Sequence, residues 1–178
     1  MQNRKAARTT LTVRMRPGSP TQAIAQFGPL VFSAALGRSG RSAFKREGDG
    51  ASPRGALGIL AGYRKAALRS AITSGIALSR VTARDGWCDA PSHPAYNRRV
   101  RLPFSSSHET LTRTDHLYDI VLVLDWNVTS RRRGAGSAIF LHLARPGYSP
   151  TEGCVALGRR DMLRLLPFLR AGTVVRIV

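Results

Sequence analysis

A chain of 178 residues with 43% hydrophobic content has the material for one packed domain, which excludes wholesale disorder. It carries 28 Lys and Arg against 10 Asp and Glu, a net charge of +18, and all but three of the bases are arginine. Such a surface suits polyanions, because a guanidinium presents a planar fork matched to carboxylates and phosphates. Charge alone admits nucleic acid, an anionic membrane or a carboxylate-rich wall polymer. Two cysteines allow one disulfide at most, and no CxxC pair or His/Cys cluster has zinc spacing, so a disulfide framework and a metal site are not expected. The unbroken apolar runs, such as IVLVL at 120–124, are too short to span a bilayer. The opening MQNRKAARTTLTVRMRP is basic, and Arg14 interrupts its one apolar candidate, so no signal peptide is visible.

Residues 1–9 read as a basic tail and 10–178 as a single domain. LTVRM, from Leu11, alternates like a half-buried strand. AIAQFGPLVFSAAL reads as two strands around Gly28-Pro29, a hairpin. Residues 37–55 (GRSGRSAFKREGDGASPRG) are a long loop by composition, either a solvated connection or a functional segment. Residues 56–84 mix helix formers with glycine and β-branched residues and give no clear period. GWCDAPSHPAYNRR, at 86–99, has turn residues at nearly every other position but carries Trp87 and Tyr96, which marks an ordered loop.

YDIVLVLDWN, at 118–127, is the near-continuous apolar run of a strand buried on both faces. RRRGAG at 131–136 is a basic turn, and SAIFLHLA at 137–144 is a second buried strand. After the loop ARPGYSPTEG, the residues Met162, Leu163, Leu165, Leu166 and Leu169 space like one face of a short helix that Pro167 ends early. TVVRIV closes as a strand. The sum is mainly β, with one helix near the end.

His142 ends one of these strands, and Cys154 follows a glycine twelve positions later. Cysteine chemistry needs a thiolate, a base or cation beside it, and donors for an oxyanion. The intervening loop can bring both side chains to one sheet end, and Gly153 permits close approach and unusual backbone angles. The alternative is a small buried hydrophobe and a satisfied core histidine. Spacing alone leaves both open.

SAIFLH followed by PTEGCVAL resembles the L,D-transpeptidase (YkuD-like) catalytic domain of bacterial cell-wall enzymes, in which a histidine precedes a Ser/Thr-x-Gly-Cys motif. The matching positions are His142, Thr151, Gly153, Cys154 and Val155. GRSG at 37–40, KREGDGASP at 45–53, DGWCDAP at 85–91, YNRRVRLP at 96–103 and DHLYDIVLVL at 115–124 also resemble a compact branch of that family. The resemblance implies a curved mixed sheet or sandwich with a short helix after the nucleophile. It implies a cysteine acyltransferase, needing no cofactor, that joins peptidoglycan stem peptides by three-to-three crosslinks, with water as an alternative acceptor. It also implies a periplasmic or envelope location. Cys154 is then the nucleophile, His142 its base, and the amides at Gly153 and Cys154 the oxyanion donors. Two departures stand out: Glu152 replaces the commoner histidine, and Ala156 the commoner asparagine or arginine. A carboxylate two residues before the thiol opposes its ionisation if it points the same way.

Further candidates are Arg38, Lys45 and Arg46 for substrate carboxylates, Thr151, Trp87, Tyr96 and Asn97 for substrate contacts, and His116 and Asn127 for support. Cys88 is either a wall of the site or a disulfide partner of Cys154. The expected partners are stem peptides and anionic wall polymer, with no specific nucleic acid and no membrane span. The rival readings are a basic nucleic-acid-binding module and an inactive wall-peptide-binding member of the family.

Overall fold

The computed structural model describes residues 10–68 and 71–178, so the basic tail at 1–9 lies outside the described residues. The chain begins with β1 (Thr10–Arg16), β2 (Ser19–Phe27) and β3 (Leu30–Ala35), and the last two form the expected hairpin through Gly28-Pro29. Two-residue strands β4 (Arg41–Ser42) and β5 (Ser52–Pro53) pair in parallel inside the 37–55 segment. That segment is therefore not a free connection. The unreadable stretch after it becomes β6 (Gly55–Lys65), the longest strand at 11 residues, and β7 (Leu78–Val81). β8 (Asp85–Cys88), β9 (Arg98–Arg101) and β10 (His108–Thr110) make a separate three-stranded sheet with β8 in the middle.

The buried runs become β11 (Ile120–Leu124) and β12 (Phe140–Leu143), followed by β13 (Val155–Leu157), α1 (Arg159–Leu165) and β14 (Val174–Ile177). The main sheet runs β11-β12-β13-β3-β2-β1-β14-β6-β7, and β6 also pairs with β11. β6 bonds to β14 through residues 55–58 and to β11 through residues 59–64, so the ladder returns on itself. Pairing is mixed: β1 with β14, β12 with β13 and β6 with β7 are parallel, while the other ladders of this sheet are antiparallel. Among the described residues the architecture is mainly β, a curved mixed sheet with one short α-helix after Cys154. Among the described residues, no helix is long and apolar enough to cross a membrane.

Period two in β11 sorts the core into two parts. Ile120, Leu122 and Leu124 face a large cluster filled by Leu11, Val13, Leu57 and Leu141, among others. Val121 and Val123 face a smaller cluster with Trp87, Leu111, Tyr118, Phe140 and Cys154. A strand coated on both sides has no polar face, which is why its sequence shows no alternation. α1 closes the large cluster with Met162 and Leu165, and Leu166 and Leu169 follow it there. Leu163 departs from the expected face and is 38% exposed. The α-helix ends at Leu165 and tightens into a 3-10 turn over Leu166–Phe168, because Pro167 has no amide hydrogen to continue the ladder.

Leu122 is fully buried at the centre of the ring. Leu122→Ala is expected to cost about 3 kcal/mol, since the surrounding strands cannot collapse into the cavity. The check is a lower urea midpoint at unchanged slope.

Candidate active site

β12 and β13 run parallel with Leu141 opposite Val155 and His142 opposite Ala156. Leu141, Leu143, Val155 and Leu157 fill the large cluster, so Phe140, His142, Cys154 and Ala156 belong to the opposite face. Cys154 lies two residues before Ala156 and is thus a diagonal neighbour of His142. Strand spacing and rise put their Cα atoms about 8 Å apart. Both side chains line one cavity of about 260 Å³, although each is nearly enclosed, His142 at 4% and Cys154 at 6% exposure.

The ring nitrogen Nδ1 of His142 lies 2.8 Å from the carbonyl of Leu143. A carbonyl only accepts, so Nδ1 carries the proton and Nε2 keeps its lone pair. Tyr118 meets the imidazole edge-on at 5.2 Å. The sulfur of Cys154 receives the Phe140 N–H at 3.3 Å and donates to the Ala138 carbonyl at 3.2 Å. The thiol proton is therefore held at rest by a backbone carbonyl and not by the imidazole.

Burial keeps both groups neutral. It pushes the Cys154 thiol up to about 12, opposed by the Phe140 amide and helped by the Glu109 carboxylate. Glu152 adds a smaller push in the same direction. Burial likewise pulls His142 down to about 4; the Leu143 carbonyl resists, and the Arg113 and Arg145 charges add to the fall. The resting pair is thiol and imidazole, not thiolate and imidazolium.

The segment before Cys154 is fixed by hydroxyls. Thr151 Oγ1 donates to the Cys154 carbonyl at 2.7 Å and accepts the Gly153 N–H at 3.2 Å. Fully buried Ser52 donates to the same carbonyl at 3.1 Å and accepts the Gly37 N–H. Gly153 has φ 130°, and a Cβ there would lie 2.9 Å from the Ala51 carbonyl oxygen, so only glycine fits. The Arg38 N–H reaches the Thr151 carbonyl, and its side chain pairs with Glu152 at 2.7 Å on the surface. The 37–55 segment thus braces the cysteine loop.

The cavity lining carries both signs of charge, with one more carboxylate than cations, on a protein that is otherwise basic. Glu47, Asp89, Glu109 and Glu152 line it beside Lys45, Arg113 and Arg145. Both signs already have partners: Glu152 pairs with Arg38, Glu109 lies 3.9 Å from Arg113, and each cation has a carboxylate. Lys45 bonds to Asp49, while Arg113 and Arg145 reach Asp115 at 2.7 Å and 3.3 Å. These contacts hold Asp115 down near 2, with Arg113 the main cause. Two polar atoms of the lining residues, Asp89 Oδ1 and Ser137 Oγ, are buried without a hydrogen-bond partner. Burial raises the Glu109 carboxyl despite the nearby Arg113 charge. Among the described residues, no group of three or more His, Cys, Asp or Glu could hold a metal ion.

Of the residues singled out in the sequence, Cys154, His142, Thr151 and Lys45 come together around the cavity, with Glu152. Arg38 and Arg46 are exposed and outside its lining. Trp87 is buried against Phe140, 5.4 Å away and edge-on, and Tyr96 is buried with its hydroxyl on Glu47, so neither forms a wall of the cavity. Asn97 is fully buried behind the site. His116 bonds to Asp119 at 3.2 Å with its side chain largely exposed, while Asn127 closes the 127–136 loop by bonds to Arg132 and Gly136. Cys88 and Cys154 are both free thiols. Glu109, Arg113, Arg145, Asp89 and Ser137 were not singled out by sequence reasoning. They come from separate turns and strand ends, and no local spacing links them.

A thiol and an imidazole on one strand pair, enclosed in a curved mixed sheet, define the class: a small β domain with a cysteine–histidine site. The chain belongs to the L,D-transpeptidase catalytic domain (YkuD) family, whose model matches residues 5–177, and that family functions in peptidoglycan crosslinking. No curated protein and no solved structure matches the chain.

Two outcomes follow from the neutral pair. With Cys88 replaced by serine, alkylation of Cys154 by a small electrophile should show a midpoint well above the ordinary thiol value of about 8.5. Glu109→Gln should lower that midpoint more than Glu152→Gln. His142 is depressed, so its neutral form is present above about pH 4 and lost below it. A reaction using it as base should hold its rate on acidification through pH 6.5, the ordinary histidine value, and fall only near pH 4. Rate–pH profiles in the acid limb check this.

Proposed function

We propose that the protein is a cysteine acyltransferase acting on peptidoglycan stem peptides in the cell envelope. The carrying observation is the shared face of His142 and Cys154, with Nδ1 tied to a carbonyl and Nε2 left as the acceptor. Nε2 takes the thiol proton as sulfur attacks the donor carbonyl, and the imidazolium then protonates the departing amine, leaving a thioester. The Gly153 amide is engaged by Thr151, so the oxyanion is assigned chiefly to the Cys154 amide. The acceptor ammonium first loses a proton to solvent; the free amine then attacks the thioester, and His142 Nε2 takes its second proton and returns it to the departing sulfur, which restores the thiol. On the family pattern the donor is the third-position carbonyl of a tetrapeptide, D-alanine leaves, and the product is a three-to-three crosslink.

The acceptor is an amine rather than water. Asp89 and Ser137 offer buried acceptor atoms without donors, and the neighbouring carboxylates favour an ammonium ion over a neutral molecule. The basic exterior serves to hold the enzyme on anionic wall polymer.

Incubation with a carbapenem should give a one-site mass adduct on Cys154, absent in Cys154→Ser, and stem tetrapeptides should give crosslinked dimer. Absence of the adduct in the wild-type protein overturns the assignment and favours a non-catalytic wall binder. Asp89→Asn should lower the ratio of aminolysis to hydrolysis about tenfold, the worth of one charged hydrogen bond. Mass spectrometry of the products gives that ratio and the position of the new bond.

A further inference from the structure

The Cys154 sulfur is cradled by two backbone groups, the Phe140 N–H and the Ala138 carbonyl. One side chain, remote in sequence, bonds directly to Ala138 and reaches Phe140 through Trp87. Asn97 is fully buried and is not part of the cavity lining. Its Oδ1 accepts the Ala138 N–H at 3.1 Å and the Trp87 indole N–H at 2.9 Å. Its Nδ2 donates to the Trp126 carbonyl at 3.0 Å. Trp87 in turn meets the Phe140 ring edge-on, and Ala138 carries the carbonyl that takes the thiol proton.

Ala138 has φ 52°, the left-handed region that an alanine occupies only under constraint. The bond from its N–H to Asn97 is such a constraint. Asn97 itself sits at φ 57°, a conformation asparagine tolerates better than most residues. A carboxamide is suited to this place: one oxygen accepts twice, one nitrogen donates, and no charge is brought near a buried thiol. An ionised carboxylate would keep both acceptances but would lose the donation and oppose the thiolate.

We propose that Asn97 is a positioning residue for the nucleophile. By pinning Ala138 and Trp87 it fixes the carbonyl and the amide between which the sulfur rests, and so sets both the direction and the proton affinity of the thiol. Without it, Ala138 relaxes out of the left-handed region, its carbonyl leaves the sulfur, and water enters. The inference rests on the reading of Cys154 as nucleophile.

The test uses the full chain with Cys88 replaced by serine. Two quantities are measured: the rate of carbapenem acylation and the pH midpoint of Cys154 alkylation. Asn97→Ala should slow acylation about 100-fold, the usual cost of a small misplacement, while the thiol midpoint falls toward about 8.5. A thiol that ionises more readily yet acylates more slowly is the signature of lost positioning. A structural role alone lowers the melting temperature and leaves the midpoint of the folded protein unchanged. Asn97→Asp covers the case in which the alanine variant fails to fold. With its carboxyl protonated it reproduces both acceptances and the donation, so its acylation rate relative to wild type should rise as pH falls. A ratio flat with pH, or an alanine variant with wild-type midpoint and rate within twofold, overturns the inference. If wild type itself forms no adduct, the acyltransfer reading fails separately, and the alkylation midpoints alone decide the role of Asn97.

Discussion

Because β12 and β13 lie parallel with His142 opposite Ala156, every second residue of both strands faces the same way. Leu141, Leu143, Val155 and Leu157 must enter the large core, and that burial alone fixes which face the thiol and imidazole share. A slip of one residue would put His142 into the leucine layer and a leucine into the cavity. Each strand contributes only three or four residues, so the register draws its strength from neighbours: β11 on one edge, β3 on the other, and α1 packed below. The site is thus a by-product of core packing. Its geometry is as secure as the core and no more.

The second constraint is dryness. Enclosure leaves the thiol and the imidazole neutral, and the protein compensates with backbone partners rather than charges: Leu143 for the ring, Ala138 and Phe140 for the sulfur. For a thiol that acts as nucleophile, proton transfer to Nε2 then coincides with attack instead of preceding it. The exterior is the opposite environment, because the chain carries a net charge of +18, mostly from arginine, and exposed charges are screened by salt. Four of the chain's 10 carboxylates nevertheless line the cavity.

Some of this was legible in the chain. The apolar runs of β11 and β12, the Gly28-Pro29 hairpin and the stop at Pro167 are local signals, each caused by the residues that show it. The His142 and Cys154 pair was legible as a spacing, with two readings until the surrounding stretches supplied the family resemblance. β6 was not legible. Its sequence GALGILAGYRK holds three glycines and little β propensity, and it is a strand because β14, β7 and β11 supply partners along both its edges. The 37–55 segment was read as loop or functional element, and it is neither free nor simply a loop. Ser52 and Arg38 tie it to the cysteine turn across about a hundred residues of chain.

Asn97, expected as a substrate contact but buried outside the cavity lining, and Glu109 and Asp89, not expected at all, show the limit most clearly. An asparagine in a turn-rich stretch is ordinary, and nothing around it announces that it will hold Ala138 and Trp87 together. The residue types, the strand periods and the chemical vocabulary of the site were determined by the sequence itself. The charge state of the pair, the charged lining and the cradle of the sulfur were decided by tertiary structure alone. Desolvation, proton affinity and hydrogen-bond partnership depend on which distant groups share a small volume, and local sequence carries no measure of that proximity.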